Sequence, residues 1–316
     1  MKEVILDTDP GIDDAMALIY LASCPSINIR AISTIMGNAS LDSCTTNALF
    51  LKEKFRLAAP VYRGAHLCIN GKEPNNFPDQ VHGKNGLGDV IPINTELCCD
   101  PRPAHDAMAN LAEQSPRKIT MLAIGQLTNV ALALRDQDNF SKNLNEIIFM
   151  GGSLNLSGNV TGWAEANIHG DPEAADIVLR SGVPTTMVGL DVTMKTRVSP
   201  NFLKGLTSKL GDLETFLNQI NDFYASYYAE RNGNYDFPMH DSLAAIFLSN
   251  PELFVTNKGW LSVIKRGDER GRTVFRADEA GPHTVCVDVD AANALALYKQ
   301  KILNKYSEKR GQGDGT

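Results

Sequence analysis

The sequence has no hydrophobic run long enough to cross a membrane and no excess of positive charge. Its longest near-apolar stretch, residues 15–24, has about ten residues, whereas a membrane-spanning helix needs roughly 20. The 30 lysines and arginines are outnumbered by 37 aspartates and glutamates, which gives a formal net charge of −7. Because binding to a phosphate backbone needs clustered positive charge, we expect neither a membrane nor a nucleic-acid polymer as partner.

Cysteine is scarce, and its spacing carries no motif. The six cysteines are scattered and include no CxxC pair, the pattern typical of a zinc or redox site. The first residues lead directly into an apparent strand, without the apolar core and cleavage site of a secretory signal. These features predict reduced thiols and a cytoplasmic protein.

Short apolar runs rich in Ile, Val, Leu and Thr alternate with amphipathic stretches over most of the chain. With 43% hydrophobic and 21% charged residues, the composition is that of a globular protein. The alternation predicts an α/β fold with a mainly parallel central sheet and helices on both faces. The predicted strands are 4–6, 27–35, 119–124, 147–150 and 185–188, and the predicted helices lie near 14–24, 41–55, 103–114, 127–135 and 171–181.

The rest of the chain is less regular. Residues 64–101 are rich in Asn, Gly and Pro, which is typical of a functional loop or lid. No linker divides the chain, so we predict a single domain over 1–304 and a solvated polar tail over 305–316. Further predicted elements are a helical block over 199–231, strands near 260–265, 272–276 and 284–288, and a helix at about 290–304.

The first predicted strand ends in an acidic turn, DTDPGIDD at 7–14, which places four carboxylates within eight residues. Aspartates in a first helical turn cap backbone N–H groups, and this accounts for one or two of them. Close like charges repel, so a hard cation with oxygen ligands explains the whole set better, and calcium tolerates irregular geometry better than magnesium. A second acidic helix start, MHDS at 239–242, belongs to the same site if it lies at the same sheet edge.

The segment DTDPGIDDA at 7–15 resembles the signature of the inosine–uridine-type nucleoside hydrolases. Other segments similar to that family follow in its order over about 1–290, and together they make the resemblance specific. They are GN at 37–38, VHG at 81–83, IGQLTN at 124–129, MGG at 150–152, GN at 158–159, AEAN at 164–167, DPEAA at 171–175 and MHD at 239–241. The whole chain is similar to bacterial ribonucleoside hydrolases of broad purine and pyrimidine range.

The resemblance implies a fold, a cofactor and a set of binding residues. The fold is a Rossmann-like α/β domain, the nucleoside hydrolase fold, with a calcium ion at the bottom of the pocket. The metal ligands it implies are Asp9, Asp14, Asp241 and the backbone carbonyl of Ile124. The residues it implies for the ribose hydroxyls are Asp13, Asn38, Asn159, Glu165 and Asn167. His82 and His240 would face the nucleobase.

The residue types suit hydrolysis of an N-glycosidic bond, which builds positive charge on ribose and negative charge on the departing base. We assign the base that activates water to Asp9 and the acid that protonates the leaving base to His240. Tyr228 is predicted to relay protons or to stack, with Asn232 on the same helix face; the alternative is an aromatic core stripe. The expected enzyme hydrolyses ribonucleosides in nucleoside catabolism or purine and pyrimidine salvage, with inosine and uridine among its better substrates.

Three features keep the interpretation open. Ala166 stands where the family usually has an aromatic residue, a gap that Trp163 could fill, and Gln126 replaces a commoner proline or glycine. His82, taken alone, could be a solvated loop histidine, and the other four histidines are predicted to be structural.

The resemblance also implies an assembly. Family members are commonly dimers or tetramers, so a homodimer or homotetramer is expected.

Two other functions remain as alternatives. The D-x-D start fits a haloacid-dehalogenase-like phosphatase superficially, although Gly11 stands where that family has Thr or Val. A calcium-dependent nucleoside sensor on the same scaffold would bind a nucleoside without cleaving it, since fold alone does not establish activity.

Overall fold

A computed structural model describes residues 1–73, 76–90, 97–115 and 117–307 of the chain. The strands are β1 Lys2–Thr8, β2 Ile27–Thr34, β3 Val61–Arg63, β4 Ile119–Ala123, β5 Leu144–Met150, β6 Thr185–Val188, β7 Arg197–Val198, β8 Phe237–Pro238, β9 Phe254–Val263, β10 Thr273–Ala277 and β11 His283–Val289. The α-helices are α1 Ile12–Ala22, α2 Leu41–Lys54, α3 Asp79–His82, α4 Ala104–Gln114, α5 Thr128–Asp136, α6 Phe140–Asn143, α7 Ala166–Gly170, α8 Pro172–Leu179, α9 Leu190–Thr193, α10 Pro200–Thr207, α11 Glu214–Asn232, α12 Asp241–Ser249 and α13 Ala291–Tyr306.

A nine-stranded sheet with the order β10-β9-β11-β6-β5-β4-β1-β2-β3 forms the centre of the described residues. Strands β1 to β6 and β11 pair in parallel, and β9 runs antiparallel to both of its neighbours. The stretch β3-β2-β1-β4-β5-β6 has the strand order of a doubly wound Rossmann sheet. The chain order reverses between β1 and β4, and in such sheets ligands bind at this point, outside the carboxyl ends of the strands.

Helices cover both faces of the sheet because its strands are apolar on both sides. In β1, Val4 and Leu6 are buried in one core with α1, α11 and α12, whereas Ile5 is buried in a second core with α4, α5 and α8. This pattern is expected of a parallel sheet covered on both faces. The predicted fold class is therefore confirmed.

The structure departs from the predicted elements mainly towards the two edges of the sheet and in the long loop. Strand β9 starts at Phe254, six residues before the predicted strand, and the short strand β3 had no prediction. The predicted loop over 64–101 contains α3, and its residues 74–75 and 91–96 lie outside the described residues.

The last helix is longer than predicted. It ends at Tyr306, whose hydroxyl donates to the carbonyl of Phe55 at 2.8 Å, and Lys305 donates to Ala22 at 2.6 Å. These two residues therefore pack on the fold and do not belong to the predicted solvated tail, whose residues 308–316 lie outside the described part. The single domain over 1–304 stays a prediction.

No helix within the described ranges combines the length and the apolar character needed to cross a bilayer. Cys24, Cys44 and Cys286 are buried as free thiols, as expected for cysteines without a motif.

Candidate active site

The predicted site residues gather where the parallel strands end. Asp9 follows β1 and Ile124 follows β4, so both lie at the point where the strand order reverses. Helix α1 begins directly after Asp9, and α12, which begins at Asp241, packs against it. The two acidic helix starts are thus brought to one edge of the sheet, as the acidic-turn hypothesis requires.

Asp14 is held rigidly by three donors. Thr8 donates its hydroxyl to Oδ1, the Gly11 amide donates to Oδ2 at 2.9 Å, and the Asn38 side chain donates to Oδ2 at 2.8 Å. The Gly11 contact also caps the start of α1. Capping therefore explains Asp14, and hydrogen bonds from Ser33 and Asn129 hold Asp7. Neither explains Asp9 and Asp13.

A compact group of carboxylates surrounds Asp14. One oxygen from each of Asp13, Asp14 and Asp241 lies within 4.8 Å of the other two. Burial raises the pKa of Asp13 and of Asp14 to about 6, and it raises the pKa of Asp241 well above its usual range, with further contributions from the neighbouring aspartates. A group of like charges in a buried site is costly unless a cation neutralises it.

Asp9 lies beside this group and is clamped by glycines. Its Oδ2 accepts the backbone N–H of Asn38 at 2.8 Å. A Cβ atom on Gly37 would lie 2.0 Å from Oδ2, and one on Gly125 would lie 2.6 Å from Oδ1. Burial raises the pKa of Asp9 well above its usual range, and the charges of Asp14 and Asp13 raise it further.

The donor set fits a hard divalent cation. Asp9 Oδ1 and Asp13 Oδ1 are buried acceptor oxygens that have no hydrogen-bond partner among the described residues. Such oxygens are rare in proteins, and carboxylate oxygens are the preferred ligands of calcium and magnesium. The three clustered carboxylates differ in one residue from the expected metal ligands. They include Asp13, which the resemblance implies for ribose, and they do not include Asp9.

Asn167 and Glu165 shape the floor of the site. The Asn167 side chain donates to the carbonyl of Ile124 at 2.9 Å and to that of Met150 at 3.1 Å. Glu165 is buried and accepts the backbone N–H groups of Asn167, Ile168 and Gly152. Both side chains therefore fix the backbone at the ends of β4 and β5.

Asn159 lies further out, on the exposed loop after β5. Its Oδ1 accepts the backbone N–H of Ala166 at 2.9 Å, so this hydrogen bond joins two parts of the same loop.

The two residues linked to the departures from the family pattern also have defined surroundings. Trp163 is 46% exposed, and the guanidinium of Arg272 lies over its ring, 4.6 Å from the centroid. Gln126 is buried against Gly170.

Two histidines and two tyrosines form a wall beside the carboxylates, which we call the histidine wall. His82 is buried, accepts the Ile12 N–H at its Nδ1 and lies 3.8 Å from Asp13 Oδ1, with its ring tilted against that of Tyr224 at 5.4 Å between centroids. The alternative of a solvated loop histidine is therefore wrong. His240 is also buried, with its Nε2 3.4 Å from the hydroxyl of Tyr228. Burial lowers the pKa of His82 to about 4 and that of His240 to about 3, so both rings are neutral near pH 7.

Helix α11 has aromatic residues in two environments, the hydrophobic core and the site. Tyr224 is fully buried and packs edge-on against Tyr228 and Phe237. Tyr228 is half-buried and reaches His240. Asn232 is exposed at the last residue of the helix, and in the described part of the chain no hydrogen bond joins it to either histidine.

Two positioning residues had no prediction. Thr193 places its hydroxyl 2.9 Å from Nδ1 of His240, and Asp191 accepts two backbone N–H groups of the loop after β5. Both follow β6, a predicted strand of the sheet. The rule that ligand sites lie at the carboxyl ends of parallel strands indicates this part of the chain, but it does not single out these two residues.

We expect Gly37→Ala to lower turnover, because the new methyl group would displace the Asp9 carboxylate that touches it. A loss of roughly 10- to 100-fold in kcat is expected, since small misplacements at a reacting centre have such effects. Circular dichroism and steady-state rates measure fold and activity separately. Gly205→Ala in α10 is the matched control, because its Cβ meets only the mobile end of Lys299. Equal activity of the two variants would contradict the clamped position of Asp9.

The fold and the site define an α/β protein with a buried acidic group at the point where the order of the parallel strands reverses. The sequence model of the family "Inosine-uridine preferring nucleoside hydrolase" matches residues 4–296, and the chain belongs to this family. It is therefore a hydrolase that acts on the N-glycosyl bond of ribonucleosides.

Individual relatives agree along nearly the whole chain. A probable uridine nucleosidase 1 of Oryza sativa subsp. japonica is 35% identical, with 95% of this chain and 96% of the relative covered. The solved structure of a plant nucleoside hydrolase, the PpNRh1 enzyme, has 33% identity and a TM-score of 0.91, with 95% and 98% covered. A purine-preferring ribonucleoside hydrolase from Gardnerella vaginalis has 30% identity and a TM-score of 0.90, with 96% and 98% covered.

Proposed function

We propose that this enzyme is a calcium-dependent ribonucleoside hydrolase in which Asp9 activates water and His240 protonates the leaving base. The observation that carries the proposal is the set of buried acidic side chains at the carboxyl ends of β1 and β4, with a pair of histidines facing it. The proposed calcium ligands are Asp9, Asp14, Asp241 and the carbonyl of Ile124. The bound ion would lower the pKa of the attacking water and hold the 2′ and 3′ hydroxyls of ribose.

Asp9 suits the role of base because its position is fixed and one oxygen is unpaired. The Asn38 N–H holds Oδ2, so Oδ1 can take a proton. In the reaction the water oxygen bonds to C1′ and its proton passes to Asp9. The C1′–N bond breaks, and its electron pair leaves with the base.

His240 is placed for the role of acid because it is buried beside Tyr228, with its Nε2 3.4 Å from that hydroxyl. A hydrogen on Nε2 would pass to the departing base, and the ring would regain a proton from solvent. His82 and Tyr228 complete this wall and support the base by ring contact and hydrogen bonding. A positioned acid of this kind contributes about 10²–10⁴-fold to the rate.

The residues proposed for ribose lie around the acidic group. Asp13 has an unpaired buried oxygen and lies within the acidic group. Asn38 and Asn167 hold the metal-site backbone and carboxylates, so they serve the sugar from fixed positions. Glu165 and Asn159 bind loop N–H groups and retain lone pairs that can accept from hydroxyls.

We infer a broad choice of base, with uridine and inosine among the better substrates. The named relatives include a probable uridine nucleosidase and a purine-preferring hydrolase. The wall of His82, His240 and Tyr228 can stack on either ring system.

Release of free base and ribose from a nucleoside panel tests the proposal. The purified enzyme with calcium should cleave uridine and inosine and also process adenosine, guanosine and cytidine. Binding without cleavage over hours would instead support a sensor. Phosphate release from a phosphomonoester would support a phosphatase, and either result would reject the proposed reaction.

Ribonucleosides should be preferred over 2′-deoxynucleosides. Without the 2′ hydroxyl, a metal position and the polar groups around Asp13 lose a partner, at a cost of about 1–3 kcal/mol. This corresponds to roughly 5- to 150-fold in kcat/KM for uridine against 2′-deoxyuridine. Equal kcat/KM values would show that the vicinal diol is not bound in this way.

An assembly of two or four copies, action in the cytoplasm and a role in nucleoside catabolism or salvage stay predictions. Light scattering of the purified protein tests the first.

A further inference from the structure

Helix α9 contacts the site in two places, at His240 and at the loop after β5. Its four residues, Leu190–Thr193, follow β6 at the edge where the acidic side chains gather. Asp191 and Thr193 are both buried, with 5% and 0% of their surfaces exposed. Neither takes part in the reaction derived above.

Thr193 lies against the histidine wall. Its Oγ1 is 2.9 Å from Nδ1 of His240, whereas the contact of Nε2 with the Tyr228 hydroxyl is longer, at 3.4 Å. The shorter contact has the better hydrogen-bond geometry. Thr193 is therefore the stronger influence on this ring.

The direction of that hydrogen bond follows from burial. Within the described ranges, Thr193 Oγ1 makes no other hydrogen bond. If it accepted a hydrogen from Nδ1, its own hydroxyl hydrogen would be buried without an acceptor, which is costly. The hydroxyl therefore donates to Nδ1, so Nδ1 carries a lone pair and the ring N–H lies on Nε2.

We propose that Thr193 is a positioning residue that holds His240 with its hydrogen on Nε2, directed towards the departing base. This inference rests on the proposed role of His240 as the acid. In the opposite tautomer Nε2 would present a lone pair, and the ring could not donate a proton there.

Asp191, on the same helix, serves as a comparison for Thr193 because it contacts a different part of the site. Its two oxygens accept the backbone N–H groups of Leu154 and Asn155, each at 2.8 Å. These residues begin the loop that carries Asn159 and Glu165 to the sugar. Asp191 therefore positions the sugar side, whereas Thr193 positions the base side, and the two effects can be separated by the choice of leaving group.

The experiment compares uridine with 4-nitrophenyl β-D-ribofuranoside, whose leaving group is a stable anion and needs no proton. Thr193→Val keeps the shape but removes the hydroxyl. It should lower kcat for uridine by roughly 10- to 100-fold and change kcat for the nitrophenyl riboside less than about twofold. Thr193→Ser should restore uridine cleavage. Asp191→Asn should lower the rates with both substrates by a similar factor, because both share the ribose.

Thr196→Val is the matched control. Thr196 is a buried threonine three residues along the chain, and its Oγ1 has no hydrogen-bond partner among the described residues. Its substitution should leave both rates near those of the wild type. A Thr193→Val variant that behaves like this control, or that loses both substrates equally, would overturn the proposal.

The tautomer can also be observed directly. Nitrogen-15 spectra of histidine-labelled enzyme should show the His240 hydrogen on Nε2 in the wild type and a mixture in Thr193→Val. A wild-type hydrogen on Nδ1 would overturn the proposal even if the variant were slow. If wild-type enzyme cleaves neither substrate, the proposed function fails; if it cleaves both and Thr193→Val does too, only this inference fails.

Discussion

Asp9→Asn should reduce kcat for uridine by about 10²–10⁴-fold at saturating calcium, the range expected for loss of a positioned base. The amide keeps the size of the carboxyl, and its oxygen can still accept the Asn38 N–H that now reaches Oδ2. It cannot take a proton from water. Without calcium, replacing one of several buried like charges should not lower the melting temperature, because burial and the charges of Asp14 and Asp13 disfavour ionised Asp9.

Asp13→Asn is the informative comparison for Asp9→Asn. Both residues have an unpaired buried oxygen, but only Asp9 is proposed as the base. The Asp13 variant should mainly raise KM, because it loses a ribose contact. Stopped-flow and steady-state rates at several calcium concentrations distinguish the two effects. If Asp9→Asn stays within tenfold of the wild type while Asp13→Asn is inactive, the two roles are exchanged.

Removal of calcium should abolish activity and lower the melting temperature together. An ion that binds only the folded state at 100 times its Kd stabilises that state by about 2.7 kcal/mol. For a chain of this size that corresponds to roughly 5 °C. Differential scanning calorimetry with and without a chelator measures the shift, and added calcium should reverse it.

The stabilisation by calcium should be larger at pH 8 than at pH 5. Burial raises the pKa of Asp13 and Asp14 to about 6, so the metal-free native state binds protons more tightly than the unfolded chain. The contribution of these two carboxyl groups to the stability of the metal-free enzyme is therefore retained below about pH 4. It is lost as the pH rises through about 6. Above that range the carboxylates repel one another, and a cation relieves the repulsion.

Asp241→Asn serves as the control for chelation. It removes one of the three clustered carboxylates, so its melting temperature should respond weakly to calcium and its activity should be lost. A chelator that changes neither the rate nor the melting temperature of the wild type would reject the metal assignment.

The Rossmann core was predictable because its signals are local. A buried parallel strand such as β6 consists of apolar and β-branched residues, and its bounds, Thr185–Val188, agree with the prediction. Strand β9 mixes exposed and buried residues, because its antiparallel position at the side of the sheet leaves part of it open. Its period-2 pattern is broken, so its start could not be located.

The sequence predicted those site residues that lie in strand-to-helix turns with a distinctive residue pattern. The acidic turn predicts that Asp9 and Asp14 lie at a strand end, and the resemblance implies Asp241 as their partner. The fold brings Asp241 to Asp14 and Asp13. Thr193 could not be singled out, because a threonine in an apolar segment has no distinguishing neighbour until α12 brings His240 within 2.9 Å of it. Contacts between residues far apart in the chain were the part that sequence reasoning lacked.

A crystal structure of the enzyme grown with calcium and ribose tests the central claim most directly. We expect one ion whose protein ligands are Asp9, Asp14, Asp241 and the carbonyl of Ile124, with the sugar diol completing its coordination. Absence of an ion at saturating calcium, or an ion bound by Asp13 while Asp9 stays remote, would contradict the account.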